Sequence, residues 1–539
     1  MRPFLSVLMA ELLTAGLFMN PVAARAQSFP YSEPTPNQIR HLVVIFQENV
    51  SFDHYFATYP VAANPSGEPV FMALPNTPSV NGLSGGLLTN NPNLNPANGT
   101  GKSNPFRLDR SQAYTADQDH DYGPEQMAFH GGLMDLFPMS VGTASSGNDP
   151  YPPPSVVDTT GLTMGYYDGN TVTALWNYAQ RFAMNDNSYN TNFGPSTPGA
   201  INLISGQTNG AINNVRGTGA LVGDGNGGLT DISDADPAGD VCSTSTGENF
   251  SMSGKNVGDL LNAKGVSWGF FEGGFDLTIT NSNGTTGCKR STTSTVTNVT
   301  KADYIPHHQP FQYYASTANP SHTRPASVAE IGHNGTANHQ YDIHDFFDAV
   351  SAGNYPTVSF LKAPGYQDGH AGYSDPLDEQ TFIVNTINFL QKSSGDWQHT
   401  LVVIAYDDSD GWYDHQMSPI LNQSQTADDA LTGTGLCGTA APVLAGVNPA
   451  TTHAQGRCGY GPRLPLLVIS PLAKQNFVDH TVTDQTSILR FIEDTWLNGQ
   501  RIQGSFDALA NSLTNMLNYT QMNLAPYILD PTTGQVTGF

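Results

Sequence analysis

The sequence has few basic residues for its length of 539. Lysine and arginine together number 21 against 46 aspartates and glutamates, so the formal net charge at pH 7 is −25. A nucleic-acid-binding protein needs a basic face to displace the counterions of the phosphate backbone. The composition therefore argues against an electrostatic nucleic-acid binder, and we expect no nucleic-acid partner.

Long apolar runs are absent beyond the first 26 residues. Arg2 precedes an apolar stretch that reaches Phe18, with Glu11 as an interruption, and residues 24–26 (Ala-Arg-Ala) have the small-x-small pattern of a cleavage site. This pattern predicts a cleavable export signal at residues 1–26. No later stretch approaches the roughly 20 apolar residues of a membrane span. We therefore expect a soluble, periplasmic or secreted protein without an integral membrane segment.

Cysteine is also scarce, with four residues and no Cys-x-x-Cys spacing, so a cysteine metal site is the weaker interpretation. Cys242 and Cys288 flank one Gly/Thr/Asn-rich stretch, and Cys437 and Cys458 flank another. Four cysteines allow three pairings. The economical one joins Cys242 to Cys288 and Cys437 to Cys458, so that each disulfide closes a long loop in an oxidising compartment.

Hydrophobic residues make up 38% of the chain, enough for a large core and against whole-chain disorder. Short apolar, β-branched runs alternate with helix-like patterns; the runs are 42–46, 266–271, 358–361, 401–406 and 466–469. Near-continuous apolar strands suit a parallel sheet that helices cover on both faces. The sequence thus predicts an α/β fold, and the lack of repeats or a clean linker predicts one domain over 27–539 with long loop insertions.

Polar side chains follow two of these predicted strands. Glu48 and Asn49 come just after the first, and Asp407 and Asp408 follow the run at 401–406. Ligands of open α/β sheets bind outside the carboxyl ends of the strands. An all-oxygen set suits Ca²⁺, Mg²⁺ or Mn²⁺, with histidine added for Zn²⁺ or Fe. The alternative is that 408–411 is only an acidic turn.

The segment Gly194-Pro195-Ser196-Thr197-Pro198 precedes a predicted helix. Pro198 suits a first helical turn, which places Ser196 or Thr197 at or just before the N-cap. Backbone N–H groups and the helix dipole favour an anion there, so a hydroxyl at this point is well placed to attack phosphorus. The alternative is an ordinary Ser/Thr cap.

Several of the fifteen histidines are candidates to bind phosphoryl oxygen or protonate a leaving alkoxide. We single out His120, His370 and the pair His307-His308, each of which is alternatively a structural histidine. His54 and His415 lie several residues beyond their strand ends. For these two we favour a structural role, with metal or outer-shell ligation in reserve.

Three segments carry a resemblance to a known family. They are residues 41–56 (HLVVIFQENVSFDHYF), 194–198 (GPSTP) and 406–415 (YDDSDGWYDH), which occur in the same order as in the family. The sequence resembles the bacterial phosphoesterases that include phospholipases C and the respiratory-burst-inhibiting acid phosphatases.

The resemblance implies an alkaline-phosphatase-like core with a central, mostly parallel sheet, and one divalent metal ion. It implies that Glu48, Asn49, Asp407 and Asp408 hold the ion and that Ser196 is the nucleophile, completing or approaching the metal shell. It places His120, His308 and His370 around the bound phosphate, with the choice between His307 and His308 open.

Two departures from the family pattern favour the acid phosphatase branch. Val50 stands where many relatives have Arg, and Ser196-Thr197-Pro198-Gly199 replaces the Thr-x-Pro-Asn that is common in the phospholipases. We therefore expect a metal-dependent acid phosphatase that acts on small phosphate monoesters through a phosphoserine at Ser196. The alternatives are a phospholipase C, a non-catalytic secreted protein braced by a metal, and a carboxylate-pair glycosidase, which would leave the segment 194–198 unexplained.

Overall fold

A computed structural model describes residues 38–142, 160–215, 219–225, 227–438 and 456–538. The export signal predicted at residues 1–26 lies outside the described residues. No helix in the described ranges is long and apolar enough to cross a membrane.

The apolar runs of the sequence form most of an eight-stranded sheet. Its strands are β1 (His41–Gln47), β2 (Ala183–Asn185), β3 (Trp268–Glu272), β4 (Gln340–Asp342), β5 (Val358–Lys362), β6 (Thr400–Tyr406), β7 (Leu466–Ile469) and β8 (Phe477–Asp479). They lie in the order β4-β3-β5-β1-β6-β7-β2-β8. The inner strand β1 pairs in parallel with both β5 and β6. The predicted α/β class with a mostly parallel sheet is confirmed.

Strand β7 departs from the parallel arrangement predicted for the apolar runs. It is antiparallel to both of its neighbours, β6 and β2. A parallel connection needs a crossover, usually a helix, that returns the chain to the opposite edge of the sheet. The described residues between β6 and β7 contain no helix. The chain therefore re-enters the sheet from the edge at which β6 ends.

The sequence pattern misses the shortest strands. β2, β4 and β8 have three residues each, too few to show a period. The region 207–250, predicted as a loop, contains most of a second sheet, with strands Leu221–Gly223, Leu229–Asp231, Asn209–Val215, Asn249–Met252 and Asp236–Pro237 in spatial order. Two-stranded pairs join Phe106–Arg107 to Gly165–Tyr166, Ser188–Tyr189 to Thr483–Asp484, Ser291–Thr293 to Thr300–Ala302, and Ile528–Leu529 to Val536–Gly538.

The α-helices of the described residues surround the large sheet. They are α1 (Phe52–Phe56), α2 (Gly86–Thr89), α3 (Tyr122–Phe129), α4 (Phe137–Ser140), α5 (Thr173–Arg181), α6 (Ser196–Ser205), α7 (Val257–Lys264), α8 (Ile343–Ser351), α9 (Pro376–Ser393) and α10 (Thr486–Trp496). Helix α7 ends before Gly265, which adopts φ 68°, and helix α9 begins after Asp375, whose side chain accepts hydrogen bonds from the backbone N–H of Leu377 and Asp378.

Helix α6 begins one residue earlier than the cap assignment predicted. Ser196 is its first helical residue and Pro195 occupies the cap position. Gly194 adopts φ 118°, a conformation that glycine reaches without steric cost, and turns the chain into the helix before Ser196. Pro198 still falls in the first turn, as predicted.

Both economical disulfides are present in the structure. Cys242 is bonded to Cys288 and Cys437 to Cys458, and there is no free cysteine in the described residues. The described residues belong to one compact unit over Pro36–Phe539.

Candidate functional site

Two pairs of polar residues meet at one edge of the large sheet. β1 and β6 are parallel neighbours and end side by side. Glu48-Asn49 and Asp407-Asp408, which follow these two strands, therefore lie at the same edge of the sheet. The backbone N–H of Asn49 donates to Asp407 Oδ1 over 3.1 Å, and that of Val50 donates to the Asp408 carbonyl over 3.0 Å. The strand-end arrangement predicted from the sequence is thus present.

Helix α6 brings a hydroxyl to this edge. Ser196 Oγ lies 3.2 Å from Glu48 Oε2 and 3.1 Å from Asp408 Oδ2, and the residue is 1% exposed. The close approach of the helix depends on Gly199, because a Cβ there would lie 2.2 Å from the Asp407 carbonyl oxygen. The sequence segments that hold Glu48, Ser196 and Asp408 therefore converge on one hydroxyl group.

The donor set fits a hard divalent cation. Asp407 Oδ2 and Asn49 Oδ1 are buried atoms without a hydrogen-bond partner, although buried polar atoms are nearly always paired. Together with Glu48, Asp408 and Ser196 they make an all-oxygen set of the type that binds Ca²⁺, Mg²⁺ or Mn²⁺.

The pKa values of the three carboxyl groups also favour a bound cation. Burial, and next the negative charge of Asp407, raises the pKa of Glu48 well above its usual range. Burial and the Asp407 charge do the same to Asp408. Burial also opposes ionisation of Asp407, but the charge of Lys362 together with hydrogen bonds from Glu48 and from the backbone N–H groups of Asn49 and Asp408 outweighs burial, so the pKa of Asp407 is lowered. Three carboxylates this close ionise together only when a nearby cation compensates them.

His308, rather than His307, lies against this set. His308 Nδ1 is 3.4 Å from Glu48 Oε1 and 4.0 Å from Asp368 Oδ2, and burial lowers its pKa well below the usual range. The His307 ring instead lies 3.6 Å from Asp236 Oδ1, and its side chain is 27% exposed.

His120 adjoins Asn49. Its Nε2 is 3.3 Å from Asn49 Nδ2, and its Nδ1 is 2.9 Å from the Gln118 carbonyl oxygen. Burial lowers the pKa of His120, but the charges of Asp408 and Asp410 outweigh burial and raise it well above the usual range.

His370 lies beside His120. The two ring centroids are 6.0 Å apart, and burial lowers the pKa of His370 to about 4. With Asp410, these two rings form a group whose ligand atoms lie within 4.8 Å of one another.

The two reserve histidines make structural contacts. His54 Nδ1 lies 2.8 Å from the Gly165 carbonyl oxygen and its ring stacks on Trp412. His415 Nδ1 lies 2.6 Å from Asp53 Oδ2. Neither approaches Ser196 in the contacts of the described residues. The ligand atoms of His415, Asp53 and Asp414 lie within 4.8 Å of one another, so the structural role of these histidines stays a prediction.

Sequence patterns did not identify two charged residues of this region. Lys362, the last residue of β5, forms an ion pair with Glu48 Oε1. Its only mark in the sequence is that it is a lysine at the end of an apolar run. Glu125 of α3 joins two loops, because it accepts hydrogen bonds from Gly194 N–H at 3.0 Å and from Ser409 Oγ at 2.7 Å. No local pattern in the sequence marks it.

Comparison with known proteins gives the same family as the motifs. A model of the phosphoesterase family matches residues 39–497. Among curated proteins, the chain is 25% identical to a non-hemolytic phospholipase C of Burkholderia pseudomallei, over 88% of this chain and 57% of that protein. It is 24% identical to a non-hemolytic phospholipase C of Pseudomonas aeruginosa, over 92% and 60%, and 24% identical to phospholipase C A of Mycobacterium tuberculosis H37Rv, over 84% and 72%.

The chain thus spans 57% and 60% of the length of the first two of these relatives. Among solved structures, murine ectonucleotide pyrophosphatase/phosphodiesterase 5 aligns with 64% of this chain and 95% of its own, at 12% identity and a TM-score of 0.30. The family model covers most of the sequence and includes all three motif segments. The chain belongs to the phosphoesterase family.

Proposed function

We propose that the chain is a metal-dependent phosphatase that hydrolyses small phosphate monoesters with Ser196 as nucleophile. The observation that carries the proposal is the position of Ser196 Oγ, at the N-terminus of α6 and within 3.2 Å of two carboxylate oxygens. A helix N-terminus favours a bound anion, and the acidic oxygens support a metal site beside it.

Glu48, Asn49, Asp407, Asp408 and Ser196 are the residues that would hold one divalent ion. Once bound, such an ion neutralises the carboxylates, favours the alkoxide form of serine and polarises a phosphoryl oxygen. Its identity among Ca, Mg, Mn, Zn and Fe is left to metal analysis.

The chain's own residues then perform two displacements. Ser196 Oγ attacks phosphorus as the alkoxide, and the new P–O bond forms as the bond to the alcohol breaks. His120, whose pKa is raised, donates the proton with which the alcohol leaves, while His308 and His370, whose pKa values are lowered, are neutral hydrogen-bond partners for the phosphate. Water then returns a proton to His120 and adds its oxygen to phosphorus as the P–Oγ bond breaks, which frees inorganic phosphate and regenerates the Ser196 alkoxide.

The test is Ser196→Ala beside Ser205→Ala, which makes the same change at the other end of α6. Turnover of p-nitrophenyl phosphate and the acid-stable phosphate label on the protein should both vanish in Ser196→Ala and persist in Ser205→Ala. Appreciable turnover by Ser196→Ala would reject the nucleophile. If wild type binds metal but hydrolyses no ester, the chain is instead a binding protein braced by that metal.

Phospholipase C activity is the second candidate, favoured by the names of the curated relatives. Position 199 bears on the choice between the two. The backbone approach at Gly199 leaves no room for the side chain that phospholipases commonly carry there, and this supports the monoester assignment. Rates on p-nitrophenyl phosphate and p-nitrophenyl phosphorylcholine at several pH values decide between them, and a faster rate on the choline ester would reverse our choice.

The signal pattern at residues 1–26 supports export of this enzyme to the periplasm or the medium. Cell fractionation, with N-terminal sequencing of the mature protein, tests both export and the cleavage point.

A further inference from the structure

Lys362 is a buried cation inside the acidic site. It ends β5, the strand beside β1, and its side chain is 1% exposed. A lysine is almost never fully buried unless it is paired, so its place at this edge calls for a partner.

Its partners are two of the residues proposed to hold the metal. Lys362 Nζ is bonded to Glu48 Oε1 and lies 3.9 Å from Asp407 Oδ2. The other oxygen of Glu48 faces Ser196. The carboxylate of Glu48 is thus divided between the ammonium group on one oxygen and the hydroxyl group on the other.

The surroundings of this ammonium group are strongly acidic. Five acidic side chains are buried in this region: Glu48, Asp368, Asp407, Asp408 and Asp410. One divalent ion alone leaves most of that negative charge uncompensated.

We propose that Lys362 is a positioning residue that supplies a built-in positive charge to the site. It fixes Glu48 so that Oε2 faces Ser196, and it fills the place that a second divalent ion would otherwise take, so that the site binds one ion. This inference rests on the proposed metal site, but the ion count tests it without any substrate.

The geometry separates this role from simple competition with the metal. Lys362 touches Glu48 Oε1, whereas Glu48 Oε2 and Asp408 Oδ2 converge on Ser196 and Asn49 Oδ1 has no partner. Lysine therefore lies beside the set of oxygens available to an ion and leaves those three free.

The experiment counts bound Mn²⁺ in the full chain by elemental analysis after gel filtration, and by calorimetric titration of metal-stripped protein. The variants are Lys362→Met, which removes the charge at nearly constant shape, and Lys362→Arg, which keeps it. The matched control is Lys301→Met, because Lys301 is a half-buried lysine whose Nζ lies over the Tyr373 ring at 3.4 Å.

We expect one ion per chain in wild type, Lys362→Arg and Lys301→Met, and two in Lys362→Met. We also expect kcat of Lys362→Met to fall by about 10- to 100-fold, the range typical of residues that orient metal ligands, with partial recovery in Lys362→Arg. If Lys362→Met does not fold, Lys362→Gln is counted in its place under the same criteria.

One ion in the charge-removing variant would overturn the inference. If Lys362→Met binds that single ion more tightly than wild type, Lys362 competes for the position of the metal itself. If the affinity is unchanged, Lys362 has no part in the site. A count that moves from one to two in a protein that hydrolyses no phosphate ester would uphold the role of Lys362 and reject the proposed function instead. A wild type that binds no ion would reject both.

Discussion

Two buried acidic clusters, built from the same two sequence segments, differ in how their charge is compensated. The strand-end cluster contains Glu48 and Asp408, and a few residues farther along the same segments Asp53 and Asp414 form a second cluster. In the second cluster Arg463 lies 3.0 Å from Asp53 Oδ1 and 3.1 Å from Asp414 Oδ2.

The second cluster is complete without a ligand. His415 Nδ1 lies 2.6 Å from Oδ2, the other oxygen of Asp53, and the backbone N–H of Gln416 donates to Asp414 Oδ1. The first cluster retains buried oxygens without a hydrogen-bond partner on Asn49 and Asp407, and Lys362 lies 3.9 Å from the Asp407 oxygen. From this comparison we expect a metal ion where buried acidic oxygens lack hydrogen bonds, and a structural role where a guanidinium group already pairs them.

The largest effect that separates the clusters is expected for matched Asp→Asn changes. Asp408→Asn removes a proposed ligand, so metal affinity should fall at least about 100-fold and phosphatase turnover should fall to the level of Ser196→Ala. Asp414→Asn should leave the ion count unchanged in the folded protein. Elemental analysis and calorimetry measure both. Full metal occupancy in Asp408→Asn, or loss of metal in folded Asp414→Asn, would break the comparison.

Arg463→Met should have the next largest effect, on stability rather than on metal binding. Asp53 and Asp414 would be left as buried acids without their main cation, and removal of one partner of a buried ion pair costs about 3–5 kcal/mol. Arg40→Met is the control, because Arg40 pairs with Asp396 at the surface at 3.4 Å, a contact worth about 0–1 kcal/mol. The free energy of unfolding in urea measures the difference, and equal losses in the two variants would contradict the structural role of Arg463.

The pH dependence of the second cluster gives a smaller effect. Burial lowers the pKa of His415, but Asp53 and then Asp414 outweigh burial and Arg463 and raise it. A raised histidine pKa adds stability that is complete below the unfolded value of about 6.5 and is lost as pH rises through the folded value. The stability lost in His415→Gln should therefore be largest at pH 5.5 and shrink by pH 8.5. Urea unfolding at both pH values measures it, and a constant loss would contradict the ion pair.

The sequence alone predicts the strand ends of the site, because β1 and β6 are long apolar runs and the acids follow them directly. The nucleophile segment is predictable for a similar reason, since Pro198 and the helix pattern place Ser196 near a helix start. The reversal of β7 is not predictable in this way, because it depends on a connection without a crossover helix.

Sequence patterns also cannot predict contacts between side chains that are far apart in the sequence. Arg463 and His415 differ from Lys362 and His308 only in which carboxylates lie opposite them, and that follows from tertiary packing. A lone lysine at the end of a strand, or a glutamate in a short helix such as Glu125, has no local signature.

Glu125 extends the comparison to a buried acid that has no ion-pair partner among the described residues and no unpaired oxygen. Burial, which outweighs its hydrogen bonds, raises the pKa of Glu125 to about 8, so it is mostly neutral at pH 7. It holds the loop before Ser196 to the loop after Asp408. A neutral carboxyl group resembles an amide in shape, and Ser409 can reverse its hydrogen bond to accept from the amide. Glu125→Gln should therefore change kcat less than any other variant proposed, whereas Glu125→Ala should lower it by releasing both loops.

The stability of Glu125→Gln should also reveal the protonation state directly. An acid whose pKa is raised on folding makes the folded state bind more protons than the unfolded state between pH 4.5 and about 8, so wild type loses stability as pH rises through that window. Glutamine does not titrate, so the stability of Glu125→Gln relative to wild type should rise from pH 4.5 to 8 and then level off. Urea unfolding across this window measures the difference. A difference that does not change with pH would mean that Glu125 is ionised when folded, and that a cation compensates it as in the other two clusters.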